Sequence, residues 1–146
     1  MTEFVLDNFD DHRGKYIEIW NAQKLPNIYW RQDCTSVSHK NVLRGLHGDH
    51  RGCWKLATCL FGEIFVAVAD PLTNQSQTIL MTTHRQILVE PGFALGHLVL
   101  SDVAVFHYKQ SQLYDRSVQF TIKWNDPKYG IQWPITDPIL SERDRA

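Results

Sequence analysis

No run of apolar residues approaches the roughly 20 that a membrane-crossing helix needs, and the opening MTEFVLDNFDDHRG is acidic and polar where a secretion signal is basic and then apolar. The expectation is a cytoplasmic protein with no membrane partner. Charge of one sign is also missing: 15 Lys and Arg stand against 16 Asp and Glu, with neither a basic run nor an acidic tail. That balance speaks against a nucleic-acid partner and leaves a small, discrete ligand as the expected one. Cysteine is scarce. Cys34, Cys53 and Cys59 are odd in number and show no CxxC spacing, which argues against a disulfide framework and a structural zinc site and fits reduced thiols. Cys59, inside the apolar run LATCLF, is expected as a small core residue, and nothing marks any of the three as an activated nucleophile. Nucleotide hydrolysis, dinucleotide redox chemistry and serine hydrolysis lose support in the same way, because the chain has no phosphate loop, no strand-to-helix GxGxxG and no GxSxG elbow. A sustained helical period is missing too; the only helical turns expected are short ones near Asp126 to Tyr129 and in the C-terminal SERDR.

What is present is strand chemistry. From Cys53, CWKLATCLFGEIFVAVADP shows two runs of β-branched and aromatic residues joined at FGE, which predicts a hairpin. QTILMTT, RQILVEPGF, LGHLVLSD, VAVFHYKQ and VQFTIKWND follow, each closed by turn-forming residues. Short strands at this spacing predict an all-β sandwich or barrel. A hydrophobic content of 43% over 146 residues is enough for one packed core, and no repeat, low-complexity segment or linker divides the chain, so residues 1–146 are expected to form a single domain. Most of the five tryptophans and five tyrosines are expected on half-buried pleated surfaces, with some left to line a pocket.

The stretch RGLHGDHRG, from Arg44 to Gly52, carries two histidines three residues apart. Two readings stand. In one, His47, His50 and His97 meet on neighbouring strands as metal ligands, since neutral imidazole binds Zn, Fe or Mn. The stretch PGFALGH resembles the second metal motif of cupin barrels, but the glutamate which that resemblance implies a few residues after the first histidines is missing, and Arg44 and Arg51 would repel a divalent cation. The preferred reading therefore has no metal: one histidine is a general base, and the cations around it hold an anionic substrate and stabilise developing negative charge. Strict strand alternation puts Arg44 and His47 on opposite faces, so this reading needs a bulge, with Gly45 as its host. His12, His39, His84 and His107 are expected at the surface or in turns.

DDHRGKYIEIW, Gln32, VLRGLH, WKL, PGFALGHLVLSD, FHYK, IKWNDP, IQWP and LSERD follow one another in an order that resembles the dTDP-4-dehydrorhamnose 3,5-epimerase family over nearly the whole chain. The resemblance implies a cupin-type jelly roll that works as a homodimer, without cofactor, on a nucleotide-linked 4-keto-6-deoxy sugar. A ketone at C4 acidifies the protons on C3 and C5, so a base can remove one to give an enolate and an acid on the other face can return it inverted. By this resemblance His47 is the base, Tyr108 the acid, Asp144 the carboxylate that orients His47 and raises its basicity, and Lys55 the cation for the enolate oxygen. Arg44 and Arg13 match positions that hold the diphosphate, Arg13 at the partner's site, and Glu18 and Gln32 match positions that place the sugar nucleotide.

Three departures from the family pattern follow. The family's second active-site histidine corresponds to Leu95, and His97, two residues on and on the same strand face, is expected to take over that role. Gln119 stands where the family has a glutamate near the nucleotide site, and Arg143 stands for a lysine just before the final aspartate. The chain is also shorter in the N-terminal strand and in the loop after Asp70. These differences point to a branch acting on other nucleotide-linked 4-keto sugars, GDP-linked heptoses among them, and to epimerisation at C3, C5 or both. The rivals are a 3,4-ketoisomerase of the same fold and a sugar-binding or metal-binding cupin without catalysis.

Overall fold

The computed structural model describes residues 1–146 as strand with short helical turns. In chain order the strands are β1 (Thr2–Val5), β2 (Asn8–Asp11), β3 (Gly14–Ile17), β4 (Gln32–His39), β5 (Leu43–Asp49), β6 (Lys55–Phe61), β7 (Ile64–Ala69), β8 (Ser76–Met81), β9 (Arg85–Val89), β10 (Ala94–Val99), β11 (Val103–Gln110) and β12 (Gln119–Thr121). The one α-helical turn is α1 (Glu142–Arg145), and Pro127–Tyr129 forms a 3₁₀ turn. Both were expected from sequence, and both are capped by a preceding polar side chain. Asp126 accepts from the Lys128 N–H, and Ser141 accepts from the Asp144 N–H. No helix is long and apolar enough to cross a membrane.

Two five-stranded antiparallel sheets face each other, in the orders β1-β9-β6-β11-β4 and β12-β5-β10-β7-β8, while β2 and β3 form a separate hairpin. From β4 onward the chain changes sheet at every connection except β7 to β8, which gives a jelly roll. The core lies between the sheets: Ala57, Cys59, Ile87, Val89 and Phe106 from one side meet Ile64, Val66, Met81, Leu95 and Val99 from the other. Each large apolar side chain buried there contributes about 1.5–3 kcal/mol. A smaller cluster under the C-terminal segment, Leu46, Ala67, Ala69, Ala94, Ile122 and Tyr129, covers the other face of the second sheet.

The hairpin expected at FGE is not formed. β6 pairs with β9 and β11, and β7 pairs with β8 and β10, so the turn carries the chain from one sheet to the other. Most positions of both strands are buried, as befits interior strands with a neighbour on each side. Gly62, at φ +83°, makes the crossing possible, because a Cβ there would lie 2.4 Å from Ser101 Oγ and from the Val103 carbonyl oxygen. The true hairpin of this region is β7–β8, reversed through the Pro/Asn/Gln stretch.

Strand alternation prepares the functional wall. On β4 the side chains of Gln32, Cys34, Ser36 and Ser38 turn inward, while Asp33, Thr35 and Val37 are exposed. On β11 the inward set is Ala104, Phe106, Tyr108 and Gln110. Where these meet β5 and β10 of the opposite sheet, polar side chains replace the apolar core and a cavity opens.

Candidate active site

The cavity has a volume of about 720 Å³, with β5 and β10 on one side and β4, β6 and β11 on the other. Its placement of His47 depends on a bulge. Opposite β10, His47 faces Leu95 and Arg44 faces His97, so a three-residue step on β5 meets a two-residue step on β10. Arg44 and His47, which strict alternation would separate, thereby both reach the cavity. Gly45 has φ +117°, and a Cβ there would fall 2.5 Å from Gly96 Cα, so only glycine fits.

His47 Nε2 lies 2.6 Å from Asp144 Oδ1. Asp144 is 3% exposed, and its other oxygen accepts from the Gly45 N–H at 3.4 Å. Burial alone would raise the Asp144 carboxyl, but the hydrogen bond to His47, its charge and the Ser141 and Gly45 contacts hold it below the ordinary carboxylate value. An ionised carboxylate can only accept, so Nε2 of His47 carries the hydrogen and Nδ1 is the nitrogen left to take a proton. Lys55, buried on β6, donates to the His47 carbonyl oxygen at 3.0 Å, and its desolvation pushes the ammonium down from its usual value.

Tyr108 stands on the opposite wall from His47, since β11 and β5 belong to different sheets. Burial, with the neighbouring Cys34, pushes its phenol up to about 12, so it is a proton donor under any ordinary condition. His97 also lines the cavity. It is 5% exposed, packs its ring on Phe106 at 4.4 Å, and has no partner for Nε2. Burial, reinforced by Arg44 and His47, lowers it to about 3, so the ring is neutral and offers an unused hydrogen-bonding atom.

Arg44 lies at the cavity with its Nε on Ser38 Oγ at 3.0 Å, and Arg143 lines it with Nε on Thr121 Oγ1 at 3.0 Å. With Lys55 they make the cavity a cationic one whose only lining carboxylate is Asp144. Gln119 also lines it and donates to Asp49 at 3.1 Å. Gln32 lines it too, with both ends of its amide engaged inside the protein.

Two expected site residues are not brought to this cavity. Arg13 sits in the β2–β3 turn, paired at 2.5 Å with Asp11, and Glu18 pairs with Lys24 at 3.3 Å. Neither lines the cavity of its own chain. His50 is outside as well, exposed and stacked 5.0 Å from Phe120, so the three histidines of the metal reading do not converge. No group of three His, Cys, Asp or Glu side chains is arranged to hold a metal ion. One minor expectation is overturned: His107 is no surface or turn residue. It is half-buried in the middle of β11, with Nε2 3.1 Å from Asp33 of the neighbouring strand β4.

Cys34, Gln110 and Tyr114 line the cavity but were not singled out in the sequence. For Cys34 a signal existed: it lies two residues after Gln32, on the same face of one strand. The five tryptophans are all half-buried, as expected, and none lines the cavity.

Two antiparallel sheets closing over a polar cavity make this a jelly-roll protein of the cupin type, and a histidine–carboxylate pair set across that cavity from a phenol equips it for acid–base catalysis. The chain belongs to the dTDP-4-dehydrorhamnose 3,5-epimerase family, whose description matches residues 1–146. It is 36% identical to the dTDP-4-dehydrorhamnose 3,5-epimerase of Salmonella typhimurium, over 94% of this chain and 84% of that one. Identity to the enzyme of the same name from Escherichia coli K12 is 38%, over 93% of this chain and 82% of that one. Among solved structures, a dTDP-6-deoxy-D-glucose-3,5-epimerase from Legionella pneumophila, in complex with dTDP-4-keto-L-rhamnose, superposes with a TM-score of 0.91 at 31% identity, covering 98% of this chain and 84% of that one.

Proposed function

We propose that the protein is a cofactor-independent epimerase of a nucleotide-linked 4-keto-6-deoxy sugar, inverting C3, C5 or both through an enolate. The observation that carries this reading is the placement of His47 and Tyr108 on opposite walls of one cationic cavity. A sugar ring lying between the sheets presents one face to each. His47 Nδ1 takes the proton α to the ketone, Asp144 stabilises the imidazolium that results, the buried Lys55 ammonium favours the enolate charge, and Tyr108 delivers a proton to the other face. Arg44 and Arg143 suit the diphosphate of the nucleotide, and His97 suits a neutral hydroxyl of the sugar.

Arg13 and Glu18 serve the site only if a second copy supplies them, so the working form is a homodimer in which the β2–β3 hairpin reaches the partner's cavity. Light scattering that gives an active monomer would refute this. The cell compartment consistent with a nucleotide-sugar substrate is the cytoplasm.

Incubation in D2O with a panel of dTDP-, GDP-, UDP- and CDP-linked 4-keto sugars tests the reading. Deuterium entering C3 or C5 with inversion supports it. A carbonyl moved to C3 identifies a 3,4-ketoisomerase, and binding without exchange a sugar-binding protein. Turnover is expected to survive EDTA, since the cations at the cavity and the spacing of the histidines disfavour a metal ion; loss of turnover with one tightly bound metal per chain would revive the metal reading.

A further inference from the structure

Asp49 is a buried carboxylate of the RGLHGDHRG stretch that the proposed chemistry leaves unused: its side chain is 2% exposed and does not line the cavity. Arg51 holds it through three donors. The Arg51 backbone N–H and Nε donate to Oδ1 at 2.8 and 3.1 Å, and Nη2 donates to Oδ2 at 2.7 Å. Nη2 also donates to the Leu113 carbonyl oxygen at 2.8 Å, which anchors the guanidinium in turn. With donors on both of its oxygens, Asp49 is ionised and can only accept. The Arg51 hydrogen bonds hold its carboxyl below the ordinary value against the upward push of burial.

A fourth donor comes from Gln119. It stands directly opposite Asp49 in the β12–β5 ladder, and its Nε2 lies 3.1 Å from Oδ2. An acceptor-only partner settles which end of the amide faces it: the NH2 group must point at Asp49, and Oε1 must point away. Strand alternation agrees, since Phe120, the next residue, turns to the other face and packs against the Leu46 cluster, while Gln119 lines the cavity. No protein donor reaches Oε1, and the atom is not enclosed. Thr121, opposite His47 in the same ladder, is two residues from Gln119, so the amide lies about 7 Å along the strand from the level of the base.

We infer that Asp49 is a positioning residue for ligand selection: clamped by Arg51, it fixes the Gln119 amide so that the cavity presents an acceptor there, and the ligand group that fits is a neutral hydrogen-bond donor, an N–H of a nucleobase or an O–H of a sugar. A ligand acceptor at that point would face Oε1 and be rejected. That the ligand is a sugar nucleotide rests on the epimerase reading, whereas the fixed orientation of the amide does not.

Calorimetric titration with GDP, dTDP, UDP and CDP, and with the corresponding 4-keto sugar nucleotides, tests the assignment without depending on turnover. Gln119→Leu removes the acceptor and leaves the Asp49–Arg51 pair in place, and affinity should fall by about fivefold or more for the lost hydrogen bond. Asp49→Asn keeps Oδ1 for Arg51 but puts an NH2 group where Oδ2 was, so the Gln119 amide must flip and present its own NH2 to the ligand; affinity should fall at least as far. Adding Asp49→Asn to Gln119→Leu should cost nothing further. Combining Asp49→Asn with Gln119→Glu rebuilds the contact with donor and acceptor exchanged, again offers the ligand an oxygen, and should restore binding, a rescue that a merely structural Asp49 would not allow. A fall shared by nucleoside diphosphates and sugar nucleotides locates the donor in the nucleotide; a fall confined to sugar nucleotides locates it in the sugar. Wild-type affinity in Gln119→Leu, additive losses when Asp49→Asn is added to it, or no restoration in a folded exchanged variant overturns the assignment, as does a wild type that binds none of these probes. A wild type that binds but exchanges no proton with any sugar overturns the epimerase reading, and the affinities of the variants still decide the role of Asp49.

Discussion

His47 Nε2 and Asp144 Oδ1 meet at 2.6 Å although 97 residues separate them in the chain. The strand that carries one and the helical turn that carries the other have no local reason to approach. Three contacts bring them together: Ser141 caps the turn, the Gly45 N–H donates to Asp144 Oδ2, and the Leu43 N–H donates to the Ile139 carbonyl oxygen at 3.0 Å. The pairing has consequences for rate. Replacing His47 with Asn should abolish solvent exchange at every position, a loss of about 10²- to 10⁴-fold for a general base. Asp144→Asn should fall between that variant and wild type. Deuterium incorporation by NMR, on variants shown to be folded by circular dichroism, checks both, and near-wild-type exchange in folded His47→Asn would move the base to another residue.

Tyr108→Phe should spare proton abstraction and chiefly impair the stereochemical return of the proton, so exchange persists while inversion falls. Because burial holds the phenol near 12, it stays protonated through the range near pH 10 where an ordinary tyrosine ionises. Turnover should therefore show no loss in that range from Tyr108. Ultraviolet difference titration of wild type against Tyr108→Phe should show the missing tyrosine titrating well above pH 10; a difference centred near pH 10 would contradict this.

His97 makes folding stability depend on acid. Its folded value, about 3, is depressed from the ordinary 6.5. The unfolded chain therefore binds a proton that the folded chain refuses, and the contribution is fully present above pH 6.5 and is lost as pH falls toward 3. Urea unfolding at a series of pH values should give a steeper fall for wild type across that window than for His97→Phe, which places an aromatic ring in the same space. Parallel curves for the two proteins would show that another group is responsible.

Gly45→Ala should destabilise strongly, because the added Cβ would meet the Gly96 backbone at 2.5 Å in a left-handed conformation. A cost above about 2 kcal/mol is expected, with a fall in melting temperature of about 4–8 °C for a domain of this size. Calorimetry measures it. A variant as stable as wild type would mean that the bulge is not held by close packing of β5 on β10.

Much of the cavity wall was legible in the sequence, for a reason rooted in strand geometry. Successive side chains point to opposite faces, so the period-two patterns of LGHLVLSD and VAVFHYKQ already put Leu95 with His97, and Phe106 with Tyr108, on common faces. The turns at Asp126 and SERDR were legible too, since their caps are local in sequence. Turn residues mark where a chain reverses but not which sheet receives it, and for that reason FGE was misread as a hairpin while Gly62 in fact passes the chain across the barrel. The neutrality of His97 and the inward use of Gln32 could not be read locally either, because desolvation and hydrogen-bond saturation depend on neighbours drawn from several strands. The bulge at Gly45 lies between these cases. The sequence showed that one was required if Arg44 and His47 were to act together, but the close approach of Gly96, a residue of another strand, is what makes glycine there obligatory and turns His47 toward Asp144.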